Sequence, residues 1–174
     1  MRNQKGFTLI ELIIVIVVLG ILAVTAAPQF IDFSTDARTS TVNGLKGSAK
    51  AASQLVHARA LADSAASTAD TATTPEEVTV GGSTVVLNYR YAAAHSFIGA
   101  LDISDEWSEE LADGADVNTI GSTASAAAAT QAIYYPEGVN SPTAATDAGT
   151  CYVIYQEAGS DGDQPEVEAV TDGC

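Results

Sequence analysis

The chain has 174 residues, of which 22 are acidic and seven are basic, and its formal net charge is −15 at pH 7. This length suits one ordinary domain, and the hydrophobic content of 47% excludes a wholly disordered chain. So few cations exclude a broad nucleic-acid interface, which needs clustered Lys and Arg, and two cysteines are too few for a four-cysteine zinc site.

The first predicted element is an apolar segment, residues 7–27, whose only charged residue is Glu11. As a helix it is about 31 Å long, which is enough to cross the hydrocarbon core of a bilayer. Arg2 and Lys5 precede it, so the positive-inside rule predicts a cytoplasmic N-terminus and places the chain after Pro28 across the membrane. A cleaved secretory signal and a simple anchor are alternatives, although the length and Glu11 argue against the signal.

Glu11 is unusual in this position. A carboxylate inside a membrane segment costs roughly 2.5–3.5 kcal/mol on insertion scales, so it normally marks a function or has a partner. The sequence KGFTLIELIIVIVVLGILAVTAAP, residues 5–28, resembles the N-terminus of type IV pilins. The chain is therefore expected to have the type IV pilin fold.

The resemblance implies specific roles for five residues of this segment. Residues 1–6 become a leader peptide that prepilin peptidase removes between Gly6 and Phe7, and the new amino group of Phe7 is methylated. Glu11 then pairs with the Phe7 ammonium of a neighbouring subunit during assembly, so that each buried charge finds the other. Gly20 and Pro28 correspond to the residues that make the pilin helix flexible.

Residues 29–62 are predicted to continue the helix in amphipathic form, after a kink at Pro28, where the ring removes one backbone donor. The expected core-facing residues recur at helical spacing. They are Phe30, Phe33, Ala37, Leu45, Ala49, Ala52, Val56 and Ala60. The sequence DARTSTVNGLKGS, residues 36–48, further resembles the mannose-sensitive haemagglutinin subgroup of these pilins.

The rest of the chain, residues 63–174, is predicted to form a globular head. A polar linker over 63–77 precedes a β-hairpin over 78–91 that turns at Gly81-Gly82. Later segments are, in order, a short helix over 92–101, an acidic loop or helix over 102–116 with Trp107, low-complexity sequence over 121–131, and strands over 132–135, 151–156 and 166–171. The predicted class is α+β, with the long helix packed on an antiparallel sheet.

Cys151 and Cys174 are expected to form a disulfide, which resembles the disulfide-bounded C-terminal loop of type IV pilins. Chain-entropy estimates assign such a bridge about 3.4 kcal/mol, and the topology places it in an oxidising compartment. Two free buried cysteines are the alternative. The acidic side chains near them are interpreted as a solvated surface rather than a calcium site, because their spacing fails the EF-hand pattern. They are Asp161, Asp163, Glu166 and Glu168.

No catalytic motif, cofactor or metal is predicted. His57 and His95 are the only histidines, and each is expected to have a packing or surface role. The acidic pairs Asp105-Glu106 and Glu109-Glu110 are typical of a solvated face, and the chain has no Walker loop, dinucleotide fingerprint or nucleophile elbow. The sequence therefore predicts that the chain is not an enzyme.

The sequence therefore predicts the major subunit of a retractable type IV pilus, acting in adhesion, attachment, colonisation and biofilm formation. Expected partners are other copies in a helical filament, the inner membrane before assembly, prepilin peptidase, the assembly machinery and a surface or glycan receptor. The precursor is placed in the inner membrane of a Gram-negative bacterium and the assembled pilus outside the cell. A type II secretion pseudopilin and a minor tip pilin are the alternatives.

Overall fold

The computed structural model describes residues 6–70, 74–103, 106–115, 117, 120–125, 128–142 and 150–174, except for the side chains of 27–32. It divides into two compact units, Met1–Ala37 and Arg38–Cys174. The fold is α+β, with an N-terminal helix followed by antiparallel sheets, as the sequence predicts.

Helix α1 is Leu9–Ala62, a single element of 54 residues. Within the second unit, the apolar residues of α1 that recur at helical spacing are buried. They include Val42, which the sequence analysis missed. The prediction is wrong for Phe33, which is 75% exposed, and for Ala37, which is also exposed. The predicted side chain of Phe30 lies outside the described residues. The buried stripe is Val42, Leu45, Ala49, Ala52, Val56 and Ala60.

The C-terminal end of α1 is closed by a Schellman motif. Ser64 adopts a left-handed conformation with φ of 57°, the amide of Ala65 donates to the carbonyl of Ala60 at 2.9 Å, and the amide of Ser64 donates to Leu61 at 3.2 Å. These bonds satisfy carbonyls that the last helical turn leaves without partners. The chain therefore turns away from the helix directly into the segment that leads to the sheets.

Three strands form an antiparallel meander: β1 Glu77–Val80, β2 Ser83–Asn88 and β3 Tyr91–Ala92. The predicted hairpin is confirmed, with Val80 paired to Ser83 across Gly81-Gly82, whose φ values are 59° and 91°. Positive φ at both turn positions suits a two-residue hairpin, and glycine adopts it without strain. The 3₁₀ helix Ala94–Ala100 follows, where the sequence predicts a short helix.

Five further strands form a second antiparallel sheet in the order β5-β4-β6-β7-β8. The three strands predicted in the C-terminal part of the chain are confirmed as β6, β7 and β8. The bounds are β4 Trp107–Asp113, β5 Ser122–Thr123, β6 Gln131–Pro136, β7 Tyr152–Gln156 and β8 Glu166–Val170.

Strand β4 corrects the prediction of an acidic loop or helix around Trp107. It pairs with β6 along its length, from Trp107 opposite Pro136 to Ala112 opposite Gln131. Its sequence WSEELAD has no β-branched residue, so local preference does not predict a strand. Pairing with the buried strand β6 overrides that preference.

The main core lies between the second half of α1 and the sheets. The side chains of Phe97 and Tyr155 stack within it with ring centroids 3.8 Å apart, and the Tyr155 hydroxyl donates to the Ala92 carbonyl at 2.6 Å. A smaller core, with Ile133, Tyr152 and Ile154, covers the other face of the five-stranded sheet. The second unit is therefore built from the second half of α1 and two sheets around one principal core.

Candidate functional site

The candidate site is the N-terminal end of α1, where the sequence places processing and assembly. Gly6 and Phe7 precede the first helical residue, Leu9, and the Phe7 side chain is 96% exposed. A Cβ atom added at Gly6 meets no other atom within 4 Å. The fold of the described chain therefore leaves this peptide bond open and does not itself require glycine at position 6.

Glu11 and Thr8 form a capping box at the start of α1. The Thr8 amide and hydroxyl donate to Glu11 Oε2 at 2.8 and 2.7 Å, and the Glu11 amide donates to Thr8 Oγ1 at 3.3 Å. Thr8 is thus the N-cap and Glu11 the third helical residue, the arrangement that satisfies free amides at a helix start. Sequence analysis missed Thr8, although Thr-x-x-Glu before an apolar run is a recognisable signal.

The first turns of the helix present apolar side chains in every direction. Leu9–Ala26 is long and apolar enough to span a membrane by length and composition, and none of it is buried within the chain. A soluble helix would place one apolar face on a core, as the second half of α1 does. The exposed surface consequently needs lipid or other protein segments to cover it.

Gly20 and Pro28 both lie inside the continuous helix. A Cβ atom added at Gly20 meets nothing within 4 Å, so close packing within the chain does not explain this glycine. The side chain of Pro28 lies outside the described residues. The predicted helix flexibility at these positions stays a prediction.

Cys151 and Cys174 form a disulfide in the structure. Two backbone bonds support the closed loop: the Gly173 amide donates to Thr150 and the Cys174 amide donates to Thr171. The bond ties the C-terminus to the start of β7. Cys151 itself is buried in the main core, so the disulfide anchors Cys174 to the buried start of β7.

Both histidines make structural contacts. The His57 ring stacks on Tyr91 with centroids 4.2 Å apart, and its Nδ1 lies 3.2 Å from the Arg90 carbonyl oxygen. Nδ1 of His95 lies 3.6 Å from Oδ2 of Asp70. Neither arrangement places a nucleophile next to a base.

Acidic side chains of the head also have partners within the chain. Glu109 accepts a bond of 2.9 Å from the Tyr134 hydroxyl, and burial raises the pKa of this carboxyl although the bond opposes the rise. Glu110 accepts from Thr123 at 3.0 Å. In the C-terminal loop, Asp163 accepts from Ser160 at 2.5 Å, and Glu168 pairs with Lys46 of α1. Among the residues that the structure describes, no group of His, Cys, Asp or Glu is arranged to hold a metal.

Comparison with known proteins identifies similarity at the same end of the chain. The prokaryotic N-terminal methylation motif matches residues 1–27. The chain is 48% identical over 52 residues to the type IV major alpha-pilin of Moraxella bovis and 46% identical over 56 residues to a fimbrial protein of Pseudomonas aeruginosa. It is 44% identical over 50 residues to the type IV narrow pilus major component of Thermus thermophilus.

These alignments cover 30%, 30% and 29% of this chain and 33%, 36% and 43% of the respective relatives. The chain thus matches less than half the length of these curated relatives. No solved structure gives a significant match to it. Residues 1–27 thus match the prokaryotic N-terminal methylation motif, and about 30% of the chain is similar to type IV pilins and fimbrial proteins. The α+β architecture is consistent with the pilin fold that the sequence predicts.

Proposed function

We propose that this chain is the structural subunit of a type IV pilus and polymerises through its N-terminal helix into a surface filament for adhesion, attachment and colonisation. The observation that carries the proposal is the fully exposed apolar segment Leu9–Ala26, directly after Gly6-Phe7 and capped by Thr8 and Glu11. One helix surface serves in lipid as an anchor and among identical helices as a filament core. The relatives' names, major pilin and fimbrial protein, favour a pilus over a type II secretion pseudopilin.

The proposed processing removes Met1–Gly6 and methylates the amino group of Phe7. Support comes from the N-terminal methylation motif over residues 1–27 and from the open backbone around Gly6. Because the fold of the described chain leaves space for a side chain at position 6, the requirement for glycine is assigned to the pocket of the prepilin peptidase.

The proposed assembly contact pairs Glu11 with the ammonium of Phe7 in a neighbouring subunit. Glu11 Oε2 already accepts two bonds from Thr8, and a carboxylate has further lone pairs for an ammonium. Phe7 lies one residue before this N-cap, so its amine lies at the same end of the helix as the Glu11 carboxylate. The neighbouring amine therefore meets a carboxylate that is held in place by its own helix.

The pilin subgroup, the cellular location and the binding partners are also proposed. The sequence over 36–48 supports the mannose-sensitive haemagglutinin subgroup, with a precursor in the inner membrane of a Gram-negative bacterium and the assembled pilus outside. The proposed partners are further copies of the chain, prepilin peptidase, the pilus assembly machinery and a surface or glycan receptor. A minor tip pilin differs from the major subunit in abundance, which the following experiment measures.

Mass spectrometry of filaments sheared from cells that express the chain tests the proposal. The expected result is an abundant subunit that begins with N-methylated Phe7 and lacks Met1–Gly6. Gly6→Leu is expected to leave uncleaved precursor in the membrane, whereas the matched leader variant Gln4→Leu is processed normally. Filaments whose subunit retains Met1 would overturn the processing proposal, and the absence of this chain from sheared filaments would overturn the pilus function.

A further inference from the structure

A second group of polar side chains lies inside the head, away from the N-terminal site. Glu157, directly after β7, is 8% exposed, and its Oε2 accepts a bond of 2.8 Å from the amide of Ala94, the first residue of the 3₁₀ helix. In the part of the chain that the structure describes, no ion pair to Glu157 is present. A carboxyl group buried without a cation resists ionisation.

Two neighbours connect Glu157 to the segment that follows α1. The Asn88 amide nitrogen donates to the Ala158 carbonyl at 3.0 Å, and its oxygen accepts from the Asp70 amide at 3.3 Å. Asn88 therefore connects Asp70 with Ala158, the residue that follows Glu157. The Asp70 carboxylate adds a second negative charge that acts on Glu157.

The groups around Glu157 come from three parts of the chain. Asp70 comes from the segment after α1, Asn88 from β2, and His95 and the Ala94 amide from the 3₁₀ helix. Burial, and to a smaller extent the charge of Glu157, raises the pKa of the Tyr155 hydroxyl of β7. Among the residues that the structure describes, none forms a hydrogen bond with Nδ1 of His95, which lies 3.6 Å from Asp70 Oδ2. The imidazole of His95 thus lies beside the carboxyl group of Asp70.

We propose that Glu157 and Asp70 form a proton-dependent clasp. While Glu157 is protonated, the segment that ends at Asp70 and the segment after β7 stay attached to the 3₁₀ helix. The clasp consists of Asp70, Asn88, His95 and Glu157. Protonation removes the like-charge repulsion between the two carboxyl groups and leaves Glu157 with an oxygen for the Ala94 amide. Ionisation places two negative charges in a buried cluster and loosens both segments.

The direction of the pH effect follows from the environment of Glu157. Burial, reinforced by the charge of Asp70, raises the pKa of Glu157 to about 7, against the opposing bonds from Ala94 and Asn88. The folded chain therefore binds this proton more tightly than the unfolded chain does. Its contribution to stability is complete below the ordinary range of a glutamate and is lost as the pH rises through about 7.

The test is denaturant unfolding of the full chain in detergent micelles at pH 6, 7 and 8, with Trp107 fluorescence as the probe and constant ionic strength. The unfolding equilibrium constant is expected to rise about tenfold more between pH 6 and 8 in the wild type than in Glu157→Gln. Glu166→Gln, a change to an exposed glutamate on β8, serves as the matched control and keeps the wild-type pH dependence. Identical pH dependence in wild type and Glu157→Gln would overturn the clasp.

A second measurement does not depend on a variant that folds. Carboxyl carbon NMR of the wild-type full chain is expected to show Glu157 titrating near neutral pH, with protection of the Asp70 amide, corrected for intrinsic exchange, falling over the same range. Asp70→Asn is expected to lower the titration midpoint of Glu157, because it removes the neighbouring negative charge. Titration of wild-type Glu157 in the ordinary glutamate range would refute the proposal.

Discussion

At the scale of single residues, the Glu11 carboxylate serves two compatible roles. It caps its own helix through Thr8, and we propose that it also receives the Phe7 ammonium of another subunit. The first role needs only the chain itself and operates in the precursor. The second begins after cleavage creates the amine. A capped helix start is therefore ready before assembly, and assembly adds one charge to an existing hydrogen-bonded group.

Substitutions at positions 8 and 11 separate these roles. Thr8→Ala removes the N-cap hydroxyl, which costs about 1 kcal/mol of helix stability, but it keeps the carboxylate. Glu11→Val removes the carboxylate half of the capping box together with its charge, and loss of one partner from a buried pair costs about 3–5 kcal/mol. Electron microscopy is expected to show a small reduction of piliation in Thr8→Ala and near loss in Glu11→Val.

Membrane fractionation is the control for this pair of variants. Both proteins are expected in the membrane, because Glu11→Val makes insertion easier and Thr8→Ala leaves the apolar segment unchanged. Normal piliation of Glu11→Val would contradict the Glu11–Phe7 pairing. Equal loss in both variants would assign the defect to capping alone.

At the scale of elements, the end of α1 depends on one strained residue. Ser64 holds a left-handed conformation with φ of 57°, which glycine adopts more readily. Ser64→Gly is expected to stabilise the head by about 0.5–1 kcal/mol, since relief of strain exceeds the entropy added to the unfolded chain. Chemical denaturation of the full chain measures the change, and Ser64→Ala is the control, expected to show no gain.

The first half of α1 carries a second element-scale prediction, that helical turns between Gly20 and Pro28 melt when subunits pack into a filament. Glycine costs roughly 1 kcal/mol relative to alanine, and Pro28 deprives the carbonyl of Val24 of its usual donor. The isolated chain is helical there, so melting would be a consequence of assembly. A filament map is expected to show a broken helix over 21–27.

The variant with Gly20→Ala and Pro28→Ala restores ordinary helix formers at both positions. Its filaments are expected to extend less under force than wild-type filaments, because an extended residue spans about 3.3 Å and a helical residue about 1.5 Å. Pairing of Glu11 should persist, so piliation is the control. Unbroken helical density from Leu19 to Phe30 in wild-type filaments would refute the prediction.

At the scale of the whole molecule, the head combines one principal core, a smaller core and a disulfide bond. The disulfide between Cys151 and Cys174 encloses β7, the acidic loop and β8, and the Lys46–Glu168 pair connects β8 to α1. Among the described strands, β8 lies at the edge of its sheet and pairs only with β7. The last part of the chain thus depends on these two links more than the central strands do.

Removal of the disulfide tests this dependence. Cys151→Ser with Cys174→Ser is expected to lower the free energy of unfolding by about 3 kcal/mol, because the open chain gains entropy when unfolded. Denaturant unfolding of the full chain measures the loss, and reduction of the wild type with dithiothreitol provides the independent comparison. Native-state hydrogen exchange should speed up first in β8. A stability loss under about 1 kcal/mol would show that core packing alone holds the C-terminus.

Much of the fold and of the N-terminal site followed from local patterns. The apolar run ending near Ala27, the hairpin at Gly81-Gly82 and the later strands were predictable because each rests on periodicity or on a residue with a special backbone preference. The capping box was equally local, and Thr-x-x-Glu was the available signal. Periodicity also located most of the buried stripe on α1, from Leu45 to Ala60.

Tertiary structure alone decided the features that depend on distant partners. Phe33 has the right spacing for the buried stripe, but it lies in the first compact unit, whereas the main core packs on the second half of α1. β4 is a strand because β6 pairs with it, against its own acidic composition. Glu157 gains its unusual environment from Asn88 and Asp70, which are distant from it in sequence. Periodicity and turn chemistry are properties of neighbouring residues, whereas burial and strand pairing arise only when distant segments meet.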